Sequence, residues 1–166
     1  MAIAEGDVIT VLDVLEDSAI PVSVAGGWAV DALLGRVTRE HGDLDLAIDA
    51  TLVDEAVEAL GRIGLLSELD ERLARLVLGD GRRAVDLHPI AWGPDGAGVQ
   101  EGLAGECFVY PPGSTDAVGR IGDRPVRCLT PQLLMAFHLG YETRQVDRDD
   151  MAALARHFDL ALPPPY

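Results

Sequence analysis

The sequence predicts an α+β fold, with a mixed sheet flanked by helices and closed by a short C-terminal helical pair. Three observations point there. Helical spacing and strand alternation both occur along the chain. They do not alternate regularly enough for a doubly wound parallel sheet. From Thr130 onward the signals are helical, up to a proline-rich tail.

Taken in order, residues 7–17 carry Val8, Val11, Leu12 and Leu15 at helical spacing, with acids on the other face and Pro21 as the stop. "VSVAGG" reads as a short strand ending in a turn at Gly26 and Gly27, and "WAVDALLG" as a helix stopped by Gly35. "LDLAID" alternates. Leu44, Leu46 and Ile48 face one way, and Asp43, Asp45, Ala47 and Asp49 the other. "DEAVEALGRIG" is an amphipathic helix with Thr51 as N-cap. Segments 65–70, 73–78 and 82–89 read as strands, the last closed by Pro89, and 91–105 reads as a loop rich in Gly and Pro. "ECFVYPP" and "RPVRCLT" are short strands. Thr130 and Pro131 form a cap and first turn, opening a helix that extends to around Tyr141. Asp147 caps a second helix, with Asp149 and Asp150 near its positive end. Residues 1–128 are expected to form the core, and residues 129–166 a helical extension packed into the same unit.

Composition narrows the function. The 166 residues hold 28 acids and 13 bases, a formal net charge of −15, which argues against nucleic acid as a partner. Every one of the 13 cations is arginine, so a Schiff-base or phosphate-loop lysine is excluded. Phosphate must be met by arginine forks, backbone N–H groups or a metal. Cys107 and Cys128 have no metal-ligand spacing. No signal pattern is seen before "MAIAEGDVIT", and no apolar run approaches membrane-spanning length. The expectation is a cytoplasmic protein with reduced thiols and no membrane partner.

The acids need weighing. Eighteen aspartates in 166 residues would give roughly two Asp-x-Asp triplets by chance. Asp147 and Asp149 form such a triplet at a helix start, where the two side chains point about 200° apart. Asp43 and Asp45 differ because strand alternation puts both on one face. There they repel unless a cation lies between them, and hard oxygen ligands on a rigid strand suit Mg²⁺. Asp86, between Val85 and Leu87, is a third acid on a strand-like stretch. If the two strands are neighbours, three carboxylates converge, enough to hold two Mg²⁺ ions for in-line phosphoryl chemistry. Otherwise each is a surface acid on a half-solvated sheet. Gly26 and Gly27 would let backbone N–H groups approach a phosphate at a helix N-terminus. Arg39 is positioned to neutralise a phosphate oxygen, and His41 reads as a turn residue.

The order of glycine pair, helix, Asp-x-Asp on a strand and a later Asp resembles the nucleotidyltransferase superfold of DNA polymerase β type. "GGWAVDALLGRVTREHGDLDLAID" is similar to the block shared by aminoglycoside 2''-nucleotidyltransferases and lincosamide nucleotidyltransferases. "VDLHPI", "RPVRCLTP" and "FHLGYETRQVDRDDMAAL" resemble their later blocks, so the likeness spans residues 20–158. It implies a Mg²⁺-dependent enzyme that moves a nucleoside monophosphate from an NTP co-substrate to a hydroxyl of a small molecule, releasing pyrophosphate. By motif, Gly26, Gly27 and Arg39 would serve the nucleotide and Asp43 and Asp45 the metal, with Asp86 a metal ligand, the base toward the acceptor hydroxyl, or both. His138 and Tyr141 fall on the helix that would line the acceptor side. Glu101, Glu106 and Glu142 are candidate ammonium partners and equally ordinary surface acids. A homodimer suits so small a domain. Two other readings stand beside this one: an antitoxin-like or regulatory relative acting on a protein partner, and a catalytically silent binding module.

Overall fold

Three fully buried side chains, Leu44, Leu46 and Ile48, fix the middle strand of the sheet, β2 (Leu44–Asp49). The computed structural model describes residues 2–139, 142–164 and 166. Before β2 come α1 (Glu5–Asp17), β1 (Val22–Val24) and α2 (Gly26–Leu34). After it come α3 (Val53–Gly61), β3 (Leu66–Glu71), β4 (Arg75–Gly79) and β5 (Ala84–Trp92). Then follow β6 (Gly98–Glu101), β7 (Cys107–Tyr110), β8 (Ala117–Ile121) and β9 (Arg124–Cys128). The chain closes with α4 (Pro131–Phe137) and α5 (Gln145–Phe158).

Among the described residues the strand order is β3-β4-β5-β2-β1-β9-β8, with β6 bonded to both β5 and β7. Only β2–β5 and β1–β9 run parallel; the remaining pairs are antiparallel. The sheet is therefore mixed, as the irregular order of helix and strand signals requires. α1 packs on α3, while α2 lies against β2, β8, β9 and the last two helices. Leu133, Leu134, Met151 and Leu154 of α4 and α5 join the same hydrophobic core as β2 and β5. No helix of the described residues is long and apolar enough to cross a membrane.

Several local expectations need correction, each for a local reason. α1 ends before Pro21; the chain reverses at Ala19, whose φ is 57°. Gly26 and Gly27 are the first residues of α2 and do not form a separate turn. Asp49, not Thr51, caps the short turn before α3, accepting the Thr51 N–H at 2.8 Å. Asp147 is the third residue of α5, accepting the Arg144 N–H at 2.8 Å in a capping box. β5 continues through Pro89 to Trp92. Pro89 lies opposite Ile48 of β2, and on its other side it falls between the last pair with β4, at Leu87, and the first with β6, at Ala91. β6 lies inside the expected 91–105 loop, hidden by the glycines around it, and β8 was masked by the internal Gly119. The Thr130 cap does form, its hydroxyl oxygen accepting the Leu133 N–H at 3.3 Å, and Gly35 ends α2 with φ 68°. The helix begun there stops at Phe137; Tyr141 lies outside the described residues.

Gly119 is where β8 meets α2. A Cβ there would lie 2.5 Å from the backbone carbon of Ala32. Backbone cannot yield as a flexible side chain can, so Gly119→Ala is expected to push α2 off the sheet and cost about 1–3 kcal/mol. Urea unfolding of this variant beside Gly61→Ala, where a Cβ would meet nothing within 4 Å, measures the effect. Equal midpoints would show that α2 is not held by this approach.

Candidate active site

β2 and β5 lie parallel in a register that sets Asp45 opposite Asp86 and Ala47 opposite His88. Directly paired residues of neighbouring strands project to the same face, as do residues two apart. Asp45, Asp86 and His88 therefore share a face, and one ligating atom from each lies within 4.8 Å of the others. Asp43 precedes the strand by one residue. Burial, and next the charge of Asp45, raise its pKa although its surface is open.

Asp86 is the most perturbed of the three acids. It is 7% exposed, and its Oδ1 has no hydrogen-bond partner. Burial pushes its pKa to about 6, with smaller upward contributions from Asp45 and Asp43. Arg75 offers partial relief, with Nη1 3.6 Å from Oδ2. A buried carboxylate with one oxygen unpartnered beside a second carboxylate is a site built for a cation.

Asp45 is held at one oxygen and closely approached at the other. His88 Nε2 lies 3.1 Å from Oδ1. Oδ2 lies over Gly26, where a Cβ would come within 1.9 Å of it. Gly26 also has φ 55°, so both backbone and space require glycine. At Gly27 a Cβ would lie 2.4 Å from Arg39 Nη2 and 2.5 Å from His41 Nδ1. The glycine pair thus lets the N-terminus of α2 press against the acid, the arginine and the histidine together.

The turn carrying Thr38, Arg39 and His41 is organised by Asp31 of α2. The Asp31 carboxylate accepts the Thr38 N–H at 3.0 Å, the Thr38 hydroxyl at 2.5 Å and His41 Nε2 at 2.6 Å. Burial pushes Asp31 upward, but its bonds to His41 and Thr38 outweigh that and lower its pKa. Trp28 covers His41, with ring centroids 4.7 Å apart. Arg39 is closed on α5, its Nη2 2.8 Å and its Nε 3.4 Å from the Asp150 carboxylate. It stands beside Gly27 with its fork already engaged.

A cleft of about 230 Å³ opens over Asp45, Gly26 and His88. Its walls include Phe108, Tyr110, Phe137 and His138. The three aromatic rings stack edge to face, Phe137 lying 5.0 Å from Tyr110 and 5.7 Å from Phe108. Glu101, Glu106 and Glu142 do not line it, and Glu106 instead accepts the Ala104 N–H in its own hairpin. A larger hollow of about 510 Å³, between the end of α1 and β9, contains none of these acids. Its volume is greater, but the chemistry belongs to the smaller cleft.

Sequence reasoning missed Asp31, His88, Gln100 and Tyr110. His88 was legible as the residue two beyond Asp86 on an alternating strand. Asp31 had a weaker signal, an acid within the apolar run "WAVDALL". Gln100 and Tyr110 had none, since they reach the site through the β6–β7 hairpin.

Known proteins share this sequence pattern and fold. A family model described as aminoglycoside-2''-adenylyltransferase matches residues 7–154. A lincosamide resistance protein of Staphylococcus haemolyticus is 28% identical over 155 residues, 92% of this chain and 94% of that protein. A 2''-aminoglycoside nucleotidyltransferase of Escherichia coli is 32% identical over 120 residues, 71% of this chain, and the match spans 63% of that relative's length. The crystal structure of the lincosamide antibiotic adenylyltransferase LnuA, lincomycin-bound, superimposes with a TM-score of 0.81 at 28% identity, covering 93% of this chain and 98% of that one. ANT(2'')-Ia in complex with adenylyl-2''-tobramycin has the same fold, with a TM-score of 0.76 at 23% identity over 93% and 88% of the two chains.

Asp86 should weaken the fold it serves. Its folded pKa of about 6 lies above the ordinary aspartate value of about 3.9, so the unfolded chain ionises first as pH rises. Stability is lost between roughly pH 4 and pH 6, by about 3 kcal/mol in the metal-free protein. Asp86→Asn should therefore be more stable than the parent at pH 8 and no more stable near pH 4. Urea titrations at the two pH values measure this, and equal stability at pH 8 would contradict it.

Proposed function

The chain belongs to the aminoglycoside-2''-adenylyltransferase family of nucleotidyltransferases, and from that premise we propose that it transfers a nucleoside monophosphate, with Mg²⁺, from an NTP to a hydroxyl of a small hydroxylated antibiotic, releasing pyrophosphate. The observation that carries the Mg²⁺ reading is the in-register pair of Asp45 and Asp86, whose ligating atoms lie within 4.8 Å of each other and where one buried Asp86 oxygen has no hydrogen-bond partner. Asp43, Asp45 and Asp86 would hold the ions, two in this reading. Mg²⁺ held there would supply the positive charge that offsets the triphosphate and the pyrophosphate leaving group.

The chain's own groups do the rest. Gly26 and Gly27 bring the N-terminus of α2 to the triphosphate without a side chain in the way. Arg39, beside Gly27, shares its guanidinium between Asp150 and a phosphate oxygen. Asp86, ionised above about pH 6, accepts the proton of the acceptor hydroxyl as its oxygen bonds to the α-phosphorus and the bond to the β-phosphate's bridging oxygen breaks. The aromatic wall excludes water from that bond, so transfer to the acceptor outcompetes hydrolysis. His138, in the same wall, faces the acceptor. We assign Tyr141 to the acceptor side from its place in the sequence block alone. The setting proposed is the cytoplasm, where NTP is available.

Pyrophosphate release, screened over several NTPs with lincosamides and aminoglycosides, tests the reading. Signal is expected only with Mg²⁺ and a hydroxylated acceptor. Asp45→Asn and Asp86→Asn should each lower turnover by at least 10³-fold while leaving the circular dichroism spectrum intact. Full activity in Asp45→Asn would remove the metal role assigned to that residue.

A further inference from the structure

Behind Asp45 runs a chain of four side chains: Asp45, His88, Gln100 and Tyr110. His88 Nε2 lies 3.1 Å from Asp45 Oδ1, and His88 Nδ1 lies 3.0 Å from Gln100 Nε2. Gln100 Nε2 is also 2.7 Å from the Ala74 carbonyl, and the Tyr110 hydroxyl donates to Gln100 Oε1 at 2.7 Å. Gln100 is 7% exposed and Tyr110 2%.

The Ala74 carbonyl breaks the symmetry of this chain. It can only accept, so the amide atom beside it must be the nitrogen. The same nitrogen faces His88 Nδ1, which must then accept. The imidazole proton is left on Nε2, where it points at Asp45. Burial keeps the Tyr110 hydroxyl protonated, so it can serve the Gln100 oxygen. Asp45 and Asp86 favour an imidazolium and raise the His88 pKa against its burial. The fixed amide donor opposes a proton on Nδ1 by direct contact, and it decides the tautomer.

We propose that Gln100 is a positioning residue of this enzyme: anchored by Ala74 and Tyr110, it fixes His88 as the Nε2–H tautomer, and that N–H holds the Asp45 carboxylate. Asp45 then keeps Oδ1 on the imidazole and Oδ2 over Gly26, the side from which the nucleotide approaches. Although His88 lies within metal-ligating distance of both acids, its two ring nitrogens are already committed. It is a donor to a ligand, and not itself a ligand. This kind of support keeps a carboxylate in one rotamer and selects its free oxygen. The role of Asp45 rests on the nucleotidyltransferase reading, whereas the tautomer does not.

The test is the ¹H–¹⁵N imidazole spectrum of the full chain, first without metal at pH 8. His88 should appear as a single Nε2–H tautomer with unprotonated Nδ1. Tyr110→Phe should preserve it, because the Ala74 carbonyl alone orients the amide, while Gln100→Leu should give a tautomer mixture. An Nδ1–H tautomer or an imidazolium in the parent overturns the proposal, whatever the protein's activity. Mg²⁺ added with a nonhydrolysable ATP analogue should leave the Nε2–H signal in place, and its loss would make His88 a ligand. In turnover, His88→Leu should lose about 10–100-fold. His88→Gln, whose amide nitrogen reaches the same position, should recover to within about tenfold of the parent. Equal losses in the two variants would overturn the donor role.

Discussion

The parallel register of β2 on β5 is the constraint on which the rest of the site depends. It sets Asp45 across from Asp86 while Leu44, Leu46 and Ile48 fill the core on the other face. A slip of one residue would turn the acids into the core and the leucines outward. The large apolar burial of β2 therefore fixes the position of two mutually repelling carboxylates. The fold does not need those charges, and it holds them because the opposite face of the same strand is not free to move.

Close contacts from α2 and the turn after it keep this acid face from relaxing. Gly26 and Gly27 bring α2 so near that a methyl group at either would meet Asp45, Arg39 or His41. Asp31, from the next turn of that helix, gathers Thr38 and His41. Arg39 ties the same turn to α5 through Asp150. The short block from Gly26 to Asp45 is thus one mechanical unit. Its glycines supply closeness and its buried acid organises the loop. On the far side the β6–β7 hairpin delivers Gln100 and Tyr110 behind His88, so Asp45 is steadied from both sides.

Much of this was legible locally. Periodicity of 3.6 and of 2 placed α1, α2, β2 and α3 within a few residues, and the Thr130-Pro131 start and Gly35 stop appeared where their capping chemistry predicts. The failures were also local in origin. β6 and β8 carry glycines that dilute an alternating pattern, and Pro89 was read as an end because the strand pairing that tolerates it is not written next to it. Capping roles at Thr51 and Asp147 slipped because several polar residues compete for one helix end, and only backbone geometry chooses among them.

The sequence by itself determined that Asp45 faces away from Leu44, Leu46 and Ile48, that a glycine pair opens a helix, and that no lysine serves phosphate, since these follow from alternation and composition. Only the tertiary structure decided that Asp86 stands opposite Asp45, that Arg39 is held by Asp150, and that Gln100 and Tyr110 reach His88. Those relations join residues 10 to 111 positions apart. They are set by strand register and by which hydrophobic faces meet, and neither is encoded in any stretch short enough to be read alone.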